Sequence, residues 1–197
     1  MQIILVRHGH PMVPTSGPTT NPPLSERGHM QARCVAEALG SEAIEAIWSS
    51  GLQRADATAE PLARALGLKV QSLPGLGEVD RDGSDYANIE MIRQKGKTEW
   101  QRFLAGPLEY FGKDPNQFRA ETLEAFGQIL ESGLTGKVAI FTHGFPINIL
   151  LSHILGLNHD ARFAPSYGSI TRLSGHRLSS LTVVSINETG HVPETRR

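Results

Sequence analysis

Two stretches of this chain share one design, and together they limit what it can fold into. Ile3-Ile4-Leu5-Val6-Arg7-His8-Gly9 and Lys137-Val138-Ala139-Ile140-Phe141-Thr142-His143-Gly144 are short apolar runs that stop at His-Gly. Such runs read as strands buried on both faces, the pattern of a parallel sheet covered by helices. A cation and an imidazole at the end of a buried strand are costly unless something pairs with them. In open α/β sheets ligands sit beyond the carboxyl ends of the strands. Arg7 and His8 therefore stand where a ligand is expected, and Gly9 is expected to let the backbone pass close to it. Two strands with this ending suggest two imidazoles meeting over one pocket.

The rest of the chain alternates strand-like and helix-like patterns. Residues 10 to 24 contain five prolines among Thr, Ser, Gly and Asn, which is loop chemistry, and so long a loop is more often functional than idle. Ser25 is placed to cap a helix from Glu26, with Met30, Cys34, Val35, Ala38 and Leu39 at helical spacing and Gly40 as its stop. Ala46 to Ser49 reads as a strand. A helix follows with Ala55, Ala59, Leu62, Ala63 and Leu66 inward, ending at Gly67. Lys69 to Leu73 reads as a strand.

From Pro74 the pattern loosens into an acidic loop, and residues 86 to 105 read as one polar helix. Pro115 or Asn116 starts the next helix. Pro146 to Leu155 is a helix opened by proline. Ser169 to Leu173 and Ser180 to Ile186 are strands placed to pair, and residues 187 to 197 read as a polar tail. The expectation is an α/β three-layer sandwich, a mostly parallel central sheet with helices on both faces. It is expected to span 1–197 as a single domain, with a variable cap-like segment at about 79–115.

Composition narrows the function classes. A formal net charge of −1 argues against nucleic-acid binding through a basic surface, so any anion site is local. The single cysteine, Cys34, excludes an internal disulfide. No apolar run nears the roughly 18 residues a membrane span needs. The few apolar residues before Arg7 are too short for a signal-peptide core, making the cytoplasm the expected location.

Arginine matches phosphate or carboxylate oxygens, and histidine serves as nucleophile, acid–base group or metal ligand. Arg54 falls in the first turn after the 46–49 strand, so it points at the same crevice if that strand joins the sheet beside the first. Two arginines and two histidines converging on one point make sense only around an anion, and phosphate fits best. His8 and His10 also form an H-x-H pair, a metal pattern that alternation along a strand argues against. Arg93, Lys95, Lys97 and Arg102 read as a solvated helix face.

Leu5-Val6-Arg7-His8-Gly9, Pro23 to Ala32, Ser49 to Ala59, Leu76-Gly77-Glu78 and Thr142-His143-Gly144 occur in an order that resembles the histidine phosphatase superfamily, the phosphoglycerate mutase-like proteins. The likeness is to a short phosphatase-type member and covers nearly the whole chain. It implies a metal-independent phosphomonoester hydrolase without cofactor, acting on a small phosphorylated substrate. It assigns His8 as the nucleophile that carries a phosphohistidine. Arg7, Arg54 and His143 would hold the phosphoryl oxygens. Glu78 would be the acid and then the base, with Asp80 in reserve, its pKa raised by phosphate beside it.

Some positions depart from the family pattern. His10 follows the first triplet where relatives carry an acidic residue or glutamine. Asn21 is the only candidate for the loop asparagine that touches phosphate. Phe145 replaces a second glycine, its backbone N–H still expected to face phosphate. The alternatives are a phosphoglycerate-type mutase, disfavoured by the short segment between Glu78 and His143, a non-catalytic phospho-ligand or protein-binding module, and a metal hydrolase built on His8 and His10.

Overall fold

The computed structural model describes residues 1–13, 19–83, 85, 86 and 88–193. Its six strands are β1 (Gln2–Arg7), β2 (Ile44–Ser49), β3 (Val70–Ser72), β4 (Lys137–Thr142), β5 (Ile170–Ser174) and β6 (Thr182–Glu188). The helices are α1 (Glu26–Leu39), α2 (Gln53–Leu66), α3 (Ile89–Gln94), α4 (Lys97–Ala105), α5 (Pro107–Tyr110), α6 (Pro115–Leu130) and α7 (Gly144–Leu155). The sheet order is β3-β2-β4-β1-β5-β6. The first four strands run parallel, and β5 and β6 are antiparallel additions at one edge. This is the α/β architecture expected from the strand–helix alternation.

Strand alternation assigns the core. Ile3 and Leu5 of β1 join Trp48, Ile140, Phe126 of α6 and Leu150 of α7 on one face. Ile4 and Val6 join Val35 of α1, Leu62 of α2, Ile47 and Phe141 on the other. β1 and β4 are central and buried on both faces, which is why they read as unbroken apolar runs.

Local chemistry sets the helix ends. The Ser25 side chain accepts the Gly28 N–H at the start of α1, and Asp114 does the same for Gln117 at α6, where Pro115 fills the first turn. Gly67 closes α2 in the left-handed region at φ 67°.

Two expectations change. The polar stretch 86–105 is two short helices, because the chain turns at Gly96 with φ 101°, a conformation that interrupts a helix. The segment after β6 is packed as far as described: Val192 is buried and the His191 ring bonds the Gly168 carbonyl. Residues 194–197 of the expected tail lie outside the described residues. The segment 79–115 contributes Val79, Ile92, Phe103 and Leu108 to a third apolar cluster, completed by Phe118 of α6 and Phe145 and Ile149 of α7. No described helix is long and apolar enough to cross a membrane.

Candidate active site

Register brings the two histidines together. β1 pairs with β4 so that Arg7 lies opposite Thr142, and the His8 N–H donates to the Thr142 carbonyl at 3.0 Å. The next residue on each strand is then a histidine, and the two rings lie 4.9 Å apart between centroids, tilted by 52°. Side-chain hydroxyls tie the surrounding loops to this point. Thr58 of α2 accepts the Gly9 N–H at 2.9 Å and donates to the Arg54 carbonyl at 2.6 Å. Thr142 donates to the Leu76 carbonyl at 2.7 Å and so holds the turn that leads into Glu78.

Gly9 meets a packing requirement of its own. A Cβ there would meet the Gly28 carbonyl at 2.5 Å, and a Cβ on Gly28 would meet the His10 carbonyl at 2.2 Å. The pair lets the β1 loop lie directly on the first turn of α1.

The proton positions follow from the partners. His8 Nδ1 lies 2.7 Å from the Gly9 carbonyl, which can only accept, so Nδ1 carries the proton and Nε2 keeps its lone pair. Ser50 Oγ lies 2.8 Å from His143 Nε2 and accepts the Leu52 N–H at 3.2 Å. His143 Nε2 is the one acceptor in reach of the Ser50 hydroxyl proton among the described contacts. This puts the His143 proton on Nδ1, a buried atom with no partner of its own among the described residues. Burial lowers the pKa of both histidines well below the ordinary range, reinforced by Arg54 and Arg7, so both rings are neutral near pH 7.

Arg54 is wholly buried and gripped end-on by Asp80, at 2.7 and 3.0 Å to the two carboxylate oxygens. Asp80 is thereby committed as an acceptor, which removes it as the reserve acid. Arg7 donates to the Pro165 carbonyl at 2.6 Å and stacks on the Tyr167 ring at 3.9 Å. The Tyr86 ring covers Arg54 at 4.9 Å, and the two tyrosine hydroxyls lie 3.4 Å apart. Ser50, Asp80 as a clamp, Tyr86 and Tyr167 are the parts that sequence reasoning missed. Ser50 stood inside a quoted motif, whereas nothing local marked the tyrosines.

Glu78 is half-buried in the cavity wall, and its pKa is raised first by desolvation and then by the nearby Asp80 charge. The shift therefore needs no phosphate. One carboxylate oxygen accepts the Val79 N–H and the other the Phe145 N–H, each at 3.2 Å. The Phe145 N–H expected to face phosphate is thus given to Glu78. Asn21 sits at φ 45°, and its side-chain carbonyl accepts the Gln53 N–H at the start of α2, next to Arg54. His10 lines the cavity, its ring edge-on to Tyr167 with centroids 5.2 Å apart. Among the described residues, no group of three or more His, Cys, Asp or Glu side chains is placed to hold a metal ion.

A cavity of about 590 Å³ opens at the strand ends, with Arg7, His8 and Glu78 in one wall and Tyr86 and Tyr167 beside them. Arg54 and His143 lie behind that wall, fully buried.

The arrangement pairs a neutral imidazole bearing a free ring nitrogen with two arginines and a carboxyl group that resists ionisation. The chain belongs to the histidine phosphatase superfamily (branch 1), whose family model matches residues 3–189. In sequence it is similar to "Probable phosphoglycerate mutase GpmB" of Yersinia enterocolitica, 29% identical over 164 residues, 80% of this chain and 76% of that protein. In fold it is similar to a mycobacterial glucosyl-3-phosphoglycerate phosphatase solved with VO3, with TM-score 0.76, 22% identity and coverage of 95% and 99% of the two chains. A phosphoglycerate mutase from Bacillus anthracis gives TM-score 0.76 at 17% identity, covering 96% and 94%. Phosphatases and mutases thus share this scaffold.

Proposed function

We propose that this protein hydrolyses phosphomonoesters through a phosphohistidine on His8. The observation that carries the reading is the His8 ring, its Nδ1–H held on the Gly9 carbonyl so that Nε2 presents a lone pair beside His143 and Glu78 in the cavity wall. In the first step Nε2 attacks phosphorus and the P–O ester bond breaks. The leaving oxygen takes the proton of Glu78. In the second step water attacks phosphorus, its proton passes to the Glu78 carboxylate, the N–P bond breaks, and inorganic phosphate and neutral His8 are left.

Arg7, Arg54 and the Nδ1–H of His143 stabilise the charge on the phosphoryl oxygens, a task of positioning and electrostatics. The Phe145 N–H acts on Glu78 in place of phosphate. The lowered pKa of His8 keeps the nucleophile unprotonated at neutral pH, and the raised pKa of Glu78 keeps a donor available.

The name of the sequence relatives favours a mutase as the second reading. Rapid-quench labelling with a phosphomonoester, in chelator, separates these outcomes. A labelled His8 that decays to inorganic phosphate supports hydrolysis. Isomerised phosphoglycerate without phosphate release supports a mutase. Wild-type turnover by His8→Ala rules out both.

A further inference from the structure

Each arginine assigned to the phosphoryl oxygens is covered by a tyrosine, and the two tyrosines meet. Segment 165–168 grips Arg7 by edge, face and backbone. The Pro165 carbonyl accepts a terminal N–H at 2.6 Å, the Tyr167 ring lies 3.9 Å from the guanidinium, and the Gly168 N–H donates to the Arg7 and His8 carbonyls at 3.0 and 3.2 Å. Gly168 turns the chain there at φ 71°, in the left-handed region. The segment is tied to β6, where the Asn187 side-chain carbonyl accepts the Ser166 N–H at 2.7 Å. The Tyr86 ring covers Arg54 at 4.9 Å, and the Tyr86 N–H donates to the Thr19 carbonyl at 2.7 Å. The tyrosine hydroxyls lie 3.4 Å apart, and the Asn88 amide donates to the Tyr167 hydroxyl at 3.4 Å.

Hydrogen bonds do not fix the two guanidinium planes equally. Asp80 holds Arg54 at both terminal nitrogens, which sets its plane. Arg7 is bonded at a single terminal nitrogen, and its Nε is buried without a partner among the described residues. A cation over a ring face is held by the ring quadrupole, more strongly where water is excluded. The Tyr167 ring thus supplies for Arg7 the tilt that Asp80 supplies for Arg54. Donors aimed before charge develops stabilise a transition state without reorganising, and a small misplacement is costly.

We infer that Tyr167, backed by Tyr86, is a positioning residue that holds the Arg7 guanidinium to the geometry of the transferring phosphoryl group through its ring face. This rests on the phosphatase reading above. The test titrates wild type and variants with orthovanadate and with inorganic phosphate by calorimetry. Neither anion carries a leaving group, so contacts to a substrate body drop out. Vanadate adopts the five-coordinate shape of the transition state and phosphate does not, so the ratio of their affinities reports transition-state geometry. Tyr167→Leu is expected to lower that ratio, and kcat for 4-nitrophenyl phosphate, about tenfold while KM stays within about twofold. Tyr167→Phe keeps the ring and is expected to keep both. The Tyr167 ring also lies 5.5 Å from that of His8, so the effect is traced to Arg7 by a double-mutant cycle. In Arg7→Gln, adding Tyr167→Leu is expected to change the ratio no further. An unchanged ratio in Tyr167→Leu, a lost one in Tyr167→Phe, or an undiminished further loss in the absence of Arg7 overturns the role. Turnover by wild type without a labelled His8 overturns the phosphatase reading instead, and the anion titrations still judge Tyr167.

Discussion

At the scale of single residues, two protons carry the chemistry. Glu78 holds its proton to higher pH than an ordinary carboxyl, because burial and Asp80 disfavour its charge. Its role as donor is therefore present below its raised pKa and is lost as pH rises through it. Glu78→Gln is expected to lower turnover of alkyl phosphates by about 10²–10⁴ and to flatten the alkaline fall in the pH profile; with 4-nitrophenyl phosphate, whose leaving group needs little help, it is expected to spare the burst that phosphorylates His8 while slowing the hydrolysis that follows. Pre-steady-state and steady-state kinetics on both substrates across pH check this. The second proton is that of His143. The Ser50 hydroxyl lies 2.8 Å from Nε2, so 15N NMR of the wild-type ring is expected to give the Nδ1–H tautomer, and Ser50→Ala is expected to redistribute it toward Nε2–H. An Nε2–H wild-type ring would contradict the assignment.

The elements are joined by contacts that sequence proximity does not reveal. Glu42, in the α1–β2 turn, is held by Arg172 of β5 and Lys137 of β4, each at 2.8 Å, a link across sheet and turn. Burial pushes its pKa up, but the hydrogen bonds and charges of Arg172 and Lys137 outweigh that and lower it overall. A folded-state pKa below the unfolded value stabilises the fold above the unfolded pKa, and this contribution is lost as pH falls through the folded one. Glu42→Gln is expected to cost about 1–2 kcal/mol at pH 7, reduced from the full strength of charged hydrogen bonds by partial exposure. The gap to wild type should close below the ordinary carboxylate range. Urea melts at pH 7 and pH 3 measure both. Elsewhere, the split of 86–105 into α3 and α4 turned on Gly96 at positive φ, where the apolar spacing of Ile89, Ile92, Trp100 and Phe103 had suggested one helix.

Over the whole molecule, the site is assembled from β1, β4, α2 and the loop after β3, so an anion bound there links segments far apart in sequence. Orthovanadate binds only the folded chain on the phosphatase reading. At about 100 times its Kd it is expected to add about 2.7 kcal/mol, a rise in Tm of roughly 5–10 °C for a chain of this size. Thermal melts of wild type and His8→Ala with and without vanadate check this, the variant giving the smaller shift.

Much of this arrangement was written locally. The apolar runs of β1 and β4, the cap at Ser25, the helix start at Pro115, the stop at Gly67 and the ordered motifs around Arg7, His8, Arg54, Glu78 and His143 are short-range signals, because strand burial and helix capping act within a few residues. Tertiary packing alone decided the rest. It set Asp80 against Arg54, gave the Phe145 N–H to Glu78, turned Asn21 to the start of α2 and laid Tyr86 and Tyr167 over the arginines. Those roles depend on which donors, acceptors and charges meet after distant segments are buried together, and a buried polar group takes the partner that packing brings to it.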